Sequence, residues 1–147
     1  MDQPKPTTAD AELILKLYDL RREPRMRQAR DYFAFKFFPS TYEELMKIMT
    51  ARGSDENAFL RQVTSYWDMA ASFVVRGALN PGLFFDSCGE MWLVYVKMKP
   101  FLPQLRTDMS PAAFRNIEGV AEGTPEARER VEFMSKRLEQ MKAAAAK

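Results

Sequence analysis

Two acids lie on the most apolar stretch of the chain, four residues apart. If "PGLFFDSCGEMWLVYVKM" forms one helix, Asp86 and Glu90 share a face, where two carboxyl groups can act as general acid and base. Carboxylates on a largely apolar helix more commonly pair with bases from neighbouring elements. The candidate bases are Arg76, Lys97, Lys99 and Arg106. We therefore predict that Asp86 and Glu90 are the acids of buried ion pairs.

The chain has no histidine and one cysteine, Cys88. This composition excludes a histidine-based triad, a zinc site of mixed cysteine and histidine, and the Glu-x-x-His sites of di-iron bundles. Cys88 lies on the same apolar stretch, where burial disfavours the reactive thiolate. The sequence therefore predicts a non-catalytic protein with no metal and no cofactor.

Five arginines lie within the ten residues of "RREPRMRQAR", directly before the aromatic segment "DYFAFKFF". They are Arg21, Arg22, Arg25, Arg27 and Arg30. Because arginine grips phosphates and aromatic rings stack on bases, the segment is a candidate anion-binding site for nucleic acid or another phosphate ligand. The competing interpretation is that these arginines pair with acids from other elements or remain solvated. A net charge of +2 provides no general attraction to nucleic acid.

Capping residues, prolines and glycines divide the chain into helices. The start signals are Thr7 or Thr8, the capping-box pair Ser40 and Glu43, Ser54 or Asp55, Asn80 before Pro81, Ser110 before Pro111, and Thr124 before Pro125. The stop signals are Pro24, Pro39, Gly53, Gly77 and Pro100. No strand pattern interrupts this series, which indicates an all-α fold.

Two of these helices are predicted to form the centre of the fold. Residues 54–77 carry apolar side chains at helical spacing, and residues 80–98 are apolar on almost every face, as in a helix surrounded by others. The short connection "GALN" favours an antiparallel hairpin. We therefore predict a compact helical bundle of about six to seven helices around this central hairpin. Gly89, inside the second helix, is predicted to admit a large ring such as Trp67 close to the backbone.

The last helix carries an apolar seam with alternating steps of four and three residues. Its members are Ala127, Val131, Met134, Leu138, Met141 and Ala145. Such a seam packs either on its own domain or on a second copy, and in the second case Val131, Met134, Leu138 and Met141 form the dimer contact. The alanine-rich end, residues 143–147, is expected to fray.

Length and composition predict one domain over residues 1–147, with a flexible N-terminus at residues 1–7. The apolar run at 83–96 is too short for a bilayer and contains two acids, which excludes a membrane span. The chain begins without a basic and apolar signal segment, so we expect a cytoplasmic protein.

The order of "LYDLRREPRMRQARDYF" and "YWDMAASFVVRGALNPGLFFDSCGEMWLVYVKMKPFLPQLR" resembles a bacterial family of helical domains of unknown function. The features that carry the resemblance are Arg76 with Gly77, Gly89 with Trp92, Pro100 with Phe101, and Arg106. The resemblance covers residues 13–106 and implies helix packing without a particular activity. Many members of this family carry an N-terminal membrane helix, and this chain differs by lacking one.

These observations predict a non-catalytic protein-binding or assembly module, whose partner is another protein or a second copy of itself in a homodimer. The alternative is a nucleic-acid or phosphate-ligand binder that uses the arginines between Arg21 and Arg30.

Overall fold

The computed structural model describes residues 4–146. Its α-helices are α1 (Thr8–Arg21), α2 (Pro24–Phe35), α3 (Tyr42–Thr50), α4 (Asp55–Val75), α5 (Pro81–Phe85), α6 (Gly89–Met98), α7 (Leu102–Asp108), α8 (Arg115–Ala121) and α9 (Pro125–Ala145). A short 3-10 turn, Lys99–Phe101, joins α6 to α7. Residues 4–146 contain no strand, which confirms the predicted all-α fold class.

Four of the predicted caps start helices where expected. The side chains of Thr7, Ser54, Asn80 and Thr124 each accept a hydrogen bond from a backbone N–H in the first turn of the helix that follows. The cap predicted at Ser40 lies one residue further on. The Thr41 hydroxyl accepts a hydrogen bond from the Glu44 N–H, and the Glu44 carboxylate accepts one from the Ser40 N–H. Local capping chemistry thus sets most of the helix starts.

The start predicted at Ser110 is wrong, because the chain forms turns there and α8 begins only at Arg115. Phe114, the residue before α8, has a left-handed backbone with φ of 59°. The N-terminal turn of α8 takes its cap from another helix, since the Asp68 carboxylate of α4 accepts from the Ile117 N–H at 3.1 Å. A cap supplied from 49 residues away leaves no local signal.

The single helix predicted over residues 80–98 is interrupted at residues 86–88, which separate α5 from α6. Arg21 donates to the Ser87 carbonyl oxygen at 3.2 Å, so a side chain from α1 satisfies a backbone group at the interruption. Gly89 is the first residue of α6, and a β-carbon built on it would meet no atom within 4 Å. The prediction that Gly89 admits a large ring is therefore wrong.

The core is organised around two helices. α4 packs mainly against α2 on one side and α8 on another, whereas α6 packs mainly against α9. α4 and α6 touch each other only lightly, so the predicted hairpin is not the main contact of the core. The interruption at residues 86–88 accounts for this difference, because the turn after α4 then fixes only the direction of α5. Residues 91–98 of α6 are all buried.

The two ends of the described chain are the segment before α1 and the last turn of α9. The Asn80 side-chain amide donates to the Pro4 carbonyl oxygen at 2.7 Å, which holds the segment before α1. α9 continues to Ala145, and the fraying predicted for residues 143–147 stays a prediction. The predictions for residues 1–3 and 147 fall outside the described residues. None of the helices within residues 4–146 combines the length and apolar character needed to cross a bilayer.

Candidate binding groove beside Lys97

Three of the five clustered arginines are engaged in contacts within the fold. Arg21 is 9% exposed and lies 5.1 Å from the Trp67 ring centroid. Arg25 pairs with Asp55 at 2.8 Å, and Arg30 pairs with Glu90 at 2.9 Å. The anion-binding site predicted for the whole cluster is therefore not formed, because packing and ion pairs divide its members among different neighbours.

The remaining two arginines of the cluster, Arg22 and Arg27, are exposed. The guanidinium carbon of Arg22 lies 5.6 Å from the Tyr18 ring centroid. Both side chains therefore face solvent, and exposure alone does not define a phosphate site.

Asp86 and Glu90 have different environments. Glu90 is the acid of a partly buried ion pair, and its second oxygen accepts from the Trp67 indole N–H at 2.8 Å. Its base is Arg30 of α2, which was not among the predicted candidates. Asp86 is exposed at the end of α5, so the buried ion pair predicted for it is not formed. The interruption between α5 and α6 separates the two acids, and they cannot act as an acid and base pair on one helix face.

The apolar seam of α9 faces its own domain. Val131 and Leu138 are 8% and 6% exposed, and Met134 and Met141 are partly buried against the same core. Within one chain this face of α9 packs on α6, as in the first of the two arrangements that the seam allows, and the predicted dimer contact of these four residues stays a prediction.

Cys88 is completely buried before α6, and burial raises the pKa of its thiol to about 12. The thiolate, which is the nucleophilic form of cysteine, is therefore disfavoured at neutral pH. Cys88 acts in this structure as a small apolar core residue.

Lys97, at the end of α6, is a buried cation that forms no ion pair within residues 4–146. Its side chain is 5% exposed, and Nζ donates to the carbonyl oxygens of Phe33, Phe37 (2.8 Å) and Ala34 (3.4 Å). Phe33 and Ala34 belong to the last turn of α2, whose carbonyl groups lack partners inside their own helix. Lys97 therefore caps the negative end of α2.

Aromatic faces complete the surroundings of this ammonium group. Nζ lies 4.0 Å from the Phe38 ring centroid and 4.9 Å from that of Phe33. Burial lowers the pKa of Lys97 to about 7, and the nearby Lys142 ammonium contributes to the lowering. The carbonyl oxygens and the rings favour the charged form and oppose this shift. The charge of Lys97 is thus balanced by dipoles and ring faces rather than by an anion.

A groove of about 530 Å³ lies beside Lys97. It is bounded by the loop between α2 and α3, the end of α6, the 3-10 turn and the last turns of α9. Its apolar walls include Phe38, Pro39, Val96, Pro100, Phe101 and Leu138. Its volume lies in the range of sites for small organic ligands, roughly 300 to 1,000 Å³.

The polar lining of the groove is entirely cationic or neutral. Ser40, Lys97 and Lys142 contribute the polar side chains, and no acidic residue lines the groove. Lys142 lies 3.6 Å from Glu139 on the same helix, but both side chains are at least half exposed, so this ion pair is weak. The arrangement can bind an apolar body and attract a negative charge.

Sequence reasoning missed this groove, although both of its lysines are plain in the sequence. Lys97 was considered only as a base for an acid, and Lys142 was not singled out. One feature of the sequence did indicate a special role for Lys97. It is the only base in residues 90–97, which are otherwise apolar except for Glu90.

The fold and the groove together describe the class of protein: it is an all-helical domain with a groove that is apolar and cationic and is lined by residues from both halves of the chain. Residues 6–124 match the model of a family described as a domain of unknown function, DUF4760, and the chain belongs to this family. This membership confirms the resemblance to an uncharacterised family of helical domains. Neither a curated protein nor a solved structure matches the chain. Because α9 begins at Pro125, the groove wall that α9 provides lies outside the matched residues.

Proposed function

We propose that this domain is a non-catalytic binding module whose ligand occupies the groove beside Lys97. The observation that carries this proposal is a site-sized groove with apolar walls and a buried lysine at its side. Ligand sites of proteins typically combine apolar walls with a few placed polar groups.

The groups that sequence reasoning considered for catalysis are engaged elsewhere, which supports a binding role. Glu90 is held by Arg30 and Trp67, and the Cys88 thiol is buried with a raised pKa. With one buried cysteine and no partner for a disulfide in the same chain, the cytoplasm is the compartment that we propose.

A neutral fluorescent probe for apolar sites, N-phenyl-1-naphthylamine, tests this proposal without involving charge. We expect saturable binding with one site per chain, which blocking the groove abolishes. Ala145→Trp places a large ring at a residue that lines the groove, whereas Ala144→Trp makes the same change at an exposed neighbour outside the lining. Binding that is absent in the natural chain, or that both variants retain equally, would overturn the proposal.

A second candidate, supported by a different observation, is contact with another protein or a second copy through α1 and α4. Leu20 and Met69 are 54% and 41% exposed and line one shallow depression together. Exposed large apolar side chains that lie side by side are typical of protein contact surfaces. Light scattering coupled to size exclusion tests the homodimer: we expect a dimer that Leu20→Ser with Met69→Ser converts to a monomer. A monomeric natural chain would contradict the homodimer.

A further inference from the structure

We infer that the groove beside Lys97 selects an anionic amphiphile, a small molecule with an apolar body and a carboxylate. This inference rests on the proposed binding function and specifies its ligand class.

The charge distribution argues for an anion. Lys97 and Lys142 line the same groove, and the positive charge of Lys142 disfavours the protonated form of Lys97. No acidic residue lines the groove. Lys142 has only the weak, exposed partner Glu139, and Lys97 has no acid beside it in the groove, so a bound anion would offset the cost of positive charge next to apolar walls. A cationic ligand would add a third positive charge and is disfavoured.

The kind of cation argues for a carboxylate rather than a phosphate. Arginine forks and convergent backbone N–H groups give phosphate several directed donors, whereas a lysine is a point charge, and no arginine lines this groove. The three N–H donors of Lys97 already point at carbonyl oxygens. Lys97 therefore attracts a negative ligand by long-range electrostatics and does not hydrogen-bond to it. Lys142, half exposed at the wall formed by α9, is the group that can contact a singly charged head.

The walls argue for an apolar body behind the charged head. Val96, Phe101 and Leu138 present aliphatic and aromatic surface, and all three are otherwise buried. Each methylene group that such a surface removes from water contributes about 0.8 kcal/mol. We therefore place the apolar body of the ligand against these side chains and its carboxylate at Lys142.

The experiment compares three ligands of equal chain length by isothermal titration calorimetry, each below its micelle concentration: dodecanoate, 1-dodecanol and dodecyltrimethylammonium. We expect dodecanoate to bind at least fivefold more tightly than 1-dodecanol and the cation to bind most weakly. Equal affinities for all three would overturn the anion selectivity but leave the binding module intact. No binding of any of them, together with no binding of the neutral probe, would overturn both.

Charge reversal locates the head group. Lys142→Glu should weaken dodecanoate binding at least fivefold more than it weakens 1-dodecanol binding. Lys136→Glu makes the same change on the same helix at a side chain that is 75% exposed and lies outside the groove lining, and we expect less than a twofold effect. Equal weakening by both variants would show a general effect of net charge and would contradict the assignment of Lys142. If dodecanoate binding survives Ala145→Trp, the ligand occupies another place and the inference fails.

Discussion

Glu90 and Lys97 lie two turns apart on α6, and the fold balances their charges in opposite ways. Glu90 has a formal counter-charge in Arg30 and a neutral donor in Trp67. Lys97 has only carbonyl oxygens at the end of α2 and aromatic faces. Both groups reach α2, which presents a guanidinium to one of them and its negative helix end to the other. The comparison shows that a buried charge next to a groove can be held without an anion, and can then attract one.

The largest expected effect tests whether burial or the carbonyl dipoles control the pKa of Lys97. Its pKa is about 7 in the folded chain and near 10.4 in the unfolded chain. Between these values the unfolded chain binds the extra proton, so the free energy of unfolding rises with pH from about 7 to about 10. We expect a rise of about 5 kcal/mol over the whole transition, at about 1.4 kcal/mol for each of the roughly 3.4 units between the two pKa values.

Urea unfolding at intervals between pH 7 and 10 measures this rise, with Lys97→Met as the reference that lacks the titrating group. Subtraction of the reference removes the contribution of the buried tyrosines, whose pKa values are raised. Parallel curves for the two proteins would show that the dipoles hold the ammonium at its ordinary pKa.

The next largest effect concerns Glu90, the other charge in this comparison. Glu90→Leu leaves the Arg30 guanidinium and the Trp67 indole N–H without their acceptor, and we expect a loss of about 2 kcal/mol in the free energy of unfolding. The loss is moderate because Arg30 is one third exposed and can turn to water. Chemical denaturation measures it.

Asp86→Leu is the matched control for this change, since it removes an exposed acid from the neighbouring interruption and should alter stability by less than about 0.5 kcal/mol. Equal losses for the two variants would mean that the ion pair of Glu90 contributes nothing beyond net charge.

Arg21 sharpens the comparison, because it is a second buried cation held by a carbonyl oxygen and ring faces. Arg21→Met should lower the free energy of unfolding by about 1 kcal/mol, since it removes one hydrogen bond and the cation–π contacts with Tyr18 and Trp67. Arg27→Met, at an exposed position of the same cluster, should have almost no effect. A larger effect at Arg27 would indicate that the exposed arginines have a role in the fold that their surroundings do not explain.

The smallest effect concerns Gly89, next to Glu90. Gly89→Ala places a methyl group in open space at the start of α6 and reduces the freedom of the unfolded chain, so we expect the stability to increase by about 0.5 kcal/mol. Thermal unfolding followed by circular dichroism detects this change. A decrease would mean that the β-carbon meets an atom and that the ring-packing interpretation was right after all.

The parts of the fold that the sequence predicts well are those controlled by neighbouring residues. Thr7, Ser54, Asn80 and Thr124 cap helices because each side chain reaches the backbone three residues on. The start of α8 was missed because its cap comes from Asp68, far away in the chain.

The interruption at residues 86–88 was missed for a related reason. It contains neither glycine nor proline, and the run around it remains apolar on every face, so periodicity does not reveal the break. The partner that stabilises it, Arg21, belongs to another helix.

The site was harder to predict than the fold. Ion pairing is a general expectation for an acid on an apolar helix, and Glu90 fulfils it. Its base could not be chosen from the sequence, because Arg30 belongs to another helix, 60 residues earlier in the chain. Nothing in the local sequence indicates that Lys97 would meet carbonyl groups, because the free carbonyls of a helix end become visible only when the neighbouring helix is in place. The groove depends in addition on α9, whose lining residues begin only at Leu138.

The position of α9 relative to the family boundary has a consequence for where the folding unit ends. The residues shared with the family stop at 124, yet α6 is buried along residues 91–98 largely because α9 covers it. A fragment cut at the family boundary would leave a long apolar surface in water and would be expected to aggregate. The unit needed to cover α6 is therefore longer than the part of the chain that matches the family model.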